Sequence, residues 1–118
     1  MDIKIITPKG FAIDASGITS LKVFCEQLND RTLLTLPLAG MVLSKRNFKT
    51  IIPTGELTGG YELITADGES YVTDIPDYDA KVISDSVNNQ QNEFVLIGNI
   101  IIQRHNFDMV RPTEVVVE

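Results

Sequence analysis

The sequence predicts a mostly β, single-domain fold over residues 1–118: an antiparallel sandwich or barrel of about 7–9 short strands, with one short helix near residues 18–28. Three observations carry this expectation. Five Pro and eight Gly divide the chain at short intervals, and the runs between them favour strands. An Asp67-Gly68 pair sits between two alternating apolar segments, a strong short-range hairpin signal. Finally, 43% of the 118 residues are hydrophobic, enough for a core without disulfides or a structural metal and too many for a disordered chain.

Asp2 to Thr7 reads as a first strand, with Ile3 and Ile5 on one face. Thr7-Pro8-Lys9-Gly10 then reads as a tight turn into Phe11–Asp14. From Ser16 to Leu28, the spacing of Ile18, Leu21, Cys25 and Leu28 favours an amphipathic helix, and Asn29-Asp30 ends it. A strand over the same residues would leave Phe24 on the wrong face. Arg31 to Leu38 returns as a strand, followed by Met41–Leu43 and Thr50–Ile52 around a polar loop. The segments flanking Asp67-Gly68 form a hairpin that pairs Ala66 with Glu69, Ile64 with Tyr71 and Leu63 with Val72 through a type I′ turn. Ala80–Val87 and the run from Glu93 to Gln103 are expected as strands, the latter broken at Gly98-Asn99 by a turn or a bulge. Asn106-Phe107-Asp108 reads as a turn. Residues 112–118 read as a C-terminal arm or terminal strand carrying Val115, Val116 and Val117. No internal repeat of useful period is evident.

Composition narrows the function. Ten Lys+Arg against sixteen Asp+Glu give a net charge of −6, which disfavours a protein that tracks nucleic-acid phosphates. A single Cys25 supports no intrachain disulfide, and no signal-peptide pattern opens the chain. The apolar runs fall far short of the roughly 20 residues that span a bilayer, so no membrane insertion is expected. The chain reads as a soluble protein made in the cytoplasm, open to incorporation into a larger particle.

Few residues suggest chemistry. Cys25 and His105 are the sole members of their types, and a nucleophilic pair would need them within hydrogen-bond reach; a buried thiol and a surface imidazole are the simpler expectation. Asp74, Asp77 and Asp79 place three acids on one loop, suited to calcium but lacking the order of a helix–loop–helix site. Gly55–Gly60 lacks the Gly-Lys-Ser/Thr ending of a phosphate loop. One Cys and one His cannot furnish a zinc set. No catalytic residue, metal site or cofactor is therefore expected. Lys45, Arg46 and Lys49 form a small basic patch around Phe48, able to dock on phosphate or on an acidic protein surface, with an ordinary solvated loop the simpler expectation.

The charge is unevenly spread. Residues 1–50 carry seven basic and four acidic residues (+3), residues 51–100 one basic and nine acidic (−8), and the last eighteen two basic and three acidic (−1). Such polarity suits head-to-tail assembly or one charged partner. Val115–Val117 could lend a strand to a neighbour.

The Ile5-Ile6-Thr7-Pro8-Lys9-Gly10 segment, Leu36-Pro37 and the Tyr61–Ile75 hairpin resemble the N-terminal β-sandwich of rotary ATP synthase epsilon subunits, over about the first 85 residues. The Gly-rich approach to that family's Leu-Pro, the His after it and the paired helical C-terminus are missing here. The leading functional expectation is a non-enzymatic structural or protein-interaction subunit of a larger assembly, such as a small β component of a virion or tail-like complex. Its partners would be other protein subunits, through head-to-tail homo-oligomerisation or strand lending. The alternatives are a small acidic regulator or inhibitor that binds a basic surface of an enzyme, and the epsilon-like subunit that the resemblance implies.

Overall fold

Turn-forming residues recur so often that no strand grows beyond six residues. In the computed structural model, which describes residues 1–113, the chain runs β1 (Ile3–Ile6), β2 (Ala12–Ala15), α1 (Leu21–Asn29), β3 (Thr35–Leu38), β4 (Met41–Ser44), a 3-10 turn (Lys45–Asn47) and β5 (Thr50–Pro53). It continues with β6 (Tyr61–Thr65), β7 (Ser70–Thr73), α2 (Ala80–Asn88), β8 (Phe94–Ile97), β9 (Ile100–Gln103), a second 3-10 turn (Arg104–Asn106) and β10 (Phe107–Pro112). The second seven elements repeat the first seven in kind and order. The expectation of no internal repeat is thereby corrected.

The repeat extends to strand register. Ile3 pairs with Ala15 and Pro53, and Tyr61, 58 residues on, pairs with Thr73 and Pro112. Ile5 lies between Ile13 and Ile51 as Leu63 lies between Tyr71 and Val110. The hairpins β3–β4 and β8–β9 align 59 residues apart, Pro37↔Val42 matching Leu96↔Ile101. The offset changes because the loop before α2 is one residue longer than the loop before α1. Small hydrogen-bond motifs repeat too. Thr7 N–H donates to Phe11 O and Thr65 N–H to Glu69 O, while Lys45 N–H donates to Leu34 O and Arg104 N–H to Glu93 O.

The strands form three antiparallel sheets: five-stranded β2-β1-β5-β9-β8, three-stranded β10-β6-β7 and two-stranded β3-β4. The fold is mostly β and sandwich-like, as the sequence predicts, but it is not a closed barrel, and it holds ten strands and two helices among the described residues. β9 pairs with β5, so the hairpin of the second unit extends the sheet of the first. The two units therefore share one sheet.

Several local expectations are corrected. The turn expected at Asn106–Asp108 ends at Asn106, where β10 begins with Phe107, and the strand expected from Arg31 begins only at Thr35. Ala80–Val87 is the helix α2, not a strand. The Asp79 carboxylate caps it, accepting from Lys81 N–H (3.0 Å) and Val82 N–H (3.3 Å), and Ile83 and Val87, four apart, pack on the same side. β-branched residues at 82, 83 and 87 masked that spacing. The Tyr61 hairpin is shifted by one residue, with Leu63 opposite Tyr71 and Ile64 opposite Ser70. Its turn is a type I turn closed by Gly68 at φ 90°, with Gly68 N–H donating to Thr65 O, rather than a two-residue I′ turn. The shift places Leu63 and Tyr71 together on the core face. At Gly98-Asn99 the two-residue turn holds, and Gly98 is required: a Cβ there would stand 2.2 Å from Thr73 Oγ1.

Two cores result. The first joins β1, α1, β3, β4 and β5 through Ile3, Ile5, Phe24, Leu28, Leu36, Leu43 and Ile51, and Phe94 and Ile101 of the second unit are buried within it. The second gathers around Leu63, Val95, Ile97, Ile100 and Ile102. The epsilon-like stretch, about the first 85 residues, ends inside α2 and so cuts across the second unit. The arm at Val115, Val116 and Val117 lies outside the described residues.

Candidate interaction surface

The junction between the units shows what this fold does with a hairpin. β8–β9 alternates: Val95, Ile97, Ile100 and Ile102 face the core of their own unit, while Phe94 and Ile101 enter the first unit's core. Ile101 lies opposite Ile51 and Ile102 opposite Thr50, and Gln103 N–H donates to Lys49 O (2.8 Å). Asn29, at the end of α1, receives the outer edge of β8: its Oδ1 accepts from Phe94 N–H (2.7 Å) and its Nδ2 donates to Phe94 O (2.9 Å). Beyond the strands, Lys49 forms an ion pair with Asp67 in the β6–β7 turn. The partly buried Lys49 ammonium, followed by the Thr65 hydroxyl, holds the Asp67 carboxyl below the usual carboxylate range.

The same parts stand open at the two ends of the molecule. Val42 of β4 occupies the place of Ile101 and is 76% exposed where Ile101 is 0%. Met109 of β10 occupies the place of Thr50 and is 42% exposed where Thr50 is 1%. Among the described residues no strand pairs with the outer edge of β4 or of β10. Between α2 and β10 lies a groove of about 410 Å³, lined by Tyr78, Ile83, Val87, Phe107 and Met109 among others. Its counterpart between α1 and β5 is filled by Phe94 and Ile101. An open edge beside an apolar groove is the geometry that accepts an added strand or hairpin.

The sequence-named residues fall mostly outside this surface. Lys45 Nζ donates to Asp30 O (2.7 Å), closing α1 onto the 3-10 turn, and Arg46 is exposed beside it. Lys49 belongs to the unit junction. The three acids of the 74–79 loop do local work or face solvent: Asp74 accepts from Gly60 N–H (3.2 Å), Asp79 caps α2, and Asp77 is exposed at φ 54°. Among the described residues no group of three or more His, Cys, Asp or Glu is placed to hold a metal ion. Other acids also have partners within the chain: Glu62 with Arg111 (3.0 Å) and Asp85 with Lys81 (2.8 Å).

Cys25 is buried in the first core, and its thiol donates to Phe94 O (3.6 Å). Burial, with Glu26 nearby, pushes the thiol up to about 11, so it stays protonated at neutral pH. His105 is exposed on the second 3-10 turn. The described residues contain no helix long and apolar enough to cross a membrane.

The residues that define the surface, Val42, Met109 and Asn88, which lines the groove at the end of α2, carry no motif of their own. A signal was present in the faint repeat: Ile6-Thr7 and Gly10 return as Ile64-Thr65 and Gly68, Lys22-Val23 as Lys81-Val82, Asn29 as Asn88, and Asn47-Phe48 as Asn106-Phe107. No known family, curated protein or solved structure matches the chain.

Proposed function

We propose that this chain is a structural, protein-interaction subunit that works without catalysis, binding its partner by strand addition at β10 and the groove beside it. The observation supporting this reading is the unfilled α2–β10 groove next to an open strand, when the matching place in the first unit is filled by a hairpin. Strand addition supplies backbone hydrogen bonds, and the groove selects apolar side chains at alternate positions. An acidic regulator is the weaker reading, because Glu62, Asp67, Asp79 and Asp85 already serve contacts within the chain.

The test is a photo-crosslinking amino acid at position 109, compared with one at exposed Glu56, in the protein's native cells. A protein adduct from 109 and none from 56 is the expected result. No protein adduct from 109 would contradict the reading.

A further inference from the structure

We propose that the partner at β10 is a second copy of this chain, joined head to tail, with its β3–β4 hairpin seated as β8–β9 is seated on the first unit. This rests on the strand-addition reading above and adds the identity and register of the partner. Carrying the internal junction forward by one unit places Val42 of the incoming copy opposite Val110 and its Leu43 opposite Met109, matching Ile101↔Ile51 and Ile102↔Thr50. Ser44 N–H then meets Asp108 O as Gln103 N–H meets Lys49 O.

Three features at the free ends fit this partner independently. The first is charge. The place of Lys49 is taken by Asp108, and the place of Asp67 by Lys9, so the junction ion pair is kept with its signs exchanged. Neither Lys9 nor Asp108 has an ion-pair partner among the described residues, and both are exposed. The second is Asn88, which repeats Asn29 at the end of its helix. It is exposed and its amide reaches only Ser84 Oγ at 3.5 Å, free to bridge the Thr35 backbone of the incoming β3 as Asn29 bridges Phe94. The third is net charge: residues 1–53 carry seven basic and four acidic residues (+3), and residues 61–113 carry three basic and nine acidic (−6). Head-to-tail contact sets an acidic unit against a basic one.

The incoming face is smaller than its template. Thr35, Pro37 and Val42 stand where Phe94, Leu96 and Ile101 stand in the internal junction, so the contact between copies is weaker and concentration-dependent. A heterologous contact of this kind yields open chains, or rings where the rotation closes.

The experiment uses the purified full chain with cysteines at the exposed ion-pair positions, K9C and D108C. Under mild oxidation the double variant should give a ladder of disulfide-linked oligomers. A mixture of the two single variants should give one mixed dimer, and each single variant alone should stay monomeric. Adding V42K to the double variant, which puts a charge at the apolar groove, should raise the concentration needed for the ladder more than tenfold. No ladder up to millimolar protein, a ladder indifferent to V42K, or dimers of one single variant alone would overturn the proposal. If the ladder is missing but the crosslinker at position 109 captures a different protein in cells, strand addition stands and self-assembly falls.

Discussion

The two units of this molecule share one strand register, yet the core cluster of the first holds fourteen buried hydrophobic side chains, two of them lent by the second unit, and that of the second holds five. α1 buries Phe24, Cys25 and Leu28, whereas α2 buries none of its side chains fully. Composition explains the contrast only at Ser84, which stands in the place of Cys25; Ile83 and Val87 are as apolar as their counterparts Phe24 and Leu28 and are still not fully buried. What differs is the neighbour. The first unit receives Phe94 and Ile101 from the second, and the second receives nothing from a third among the described residues. A unit of this kind cannot bury its own hydrophobic face, as in other repeat architectures, and its neighbour completes it.

The sharpest way to break the comparison is to remove the inserted side chain. Phe94→Ala should lower stability by about 3–5 kcal/mol in denaturant titration, the usual cost of emptying a buried aromatic site. Thr35→Ala, at the matching place, should change dilute protein by less than about 0.5 kcal/mol. Equal effects would show that the units are not differently completed.

A smaller contrast lies at the helix ends. Asn29→Ala removes both hydrogen bonds to the Phe94 backbone and should cost about 1–3 kcal/mol, measured the same way. Asn88→Ala should be near neutral in dilute solution. The smallest effect concerns the ion pair across the junction. The folded Asp67 carboxyl is held below its ordinary range by Lys49 and then Thr65, so its contribution is present above the unfolded carboxylate value of about 4 and is lost as pH falls through the lower folded value. The stability gap between the wild type and Asp67→Asn, measured by thermal unfolding across pH, should therefore be open at neutral pH and narrow below about pH 4.

Much of this architecture was legible in the sequence, and the reasons are local. Thr7-Pro8-Lys9-Gly10 and Gly98-Asn99 encode their turns in side-chain type, and Ile18, Leu21, Cys25 and Leu28 encode α1 in their spacing. α2 was hidden because β-branched Val82, Ile83 and Val87 read as strand while its cap, Asp79, read as part of an acidic loop. The Tyr61 hairpin slipped by one residue because Asp-Gly serves two turn types that differ in loop length. The repeat was obscured because one inserted residue changes the offset from 58 to 59 and few identities survive. The interaction surface could not be read at all, since Val42 and Met109 matter only once β9 is known to pair with β5. That pairing is a long-range fact about topology.

The most direct measurement of the account is amide hydrogen exchange on β5, β9 and β10 across a range of protein concentrations. Slow exchange at Ile51 and Ile101 at all concentrations is expected, set by global unfolding, with the Val110 amide on the open edge of β10 exchanging at least a hundredfold faster in dilute protein and slowing as concentration rises. Protection of the Val110 amide equal to that of Ile51 in dilute protein, or exchange there that never slows with concentration, would contradict it.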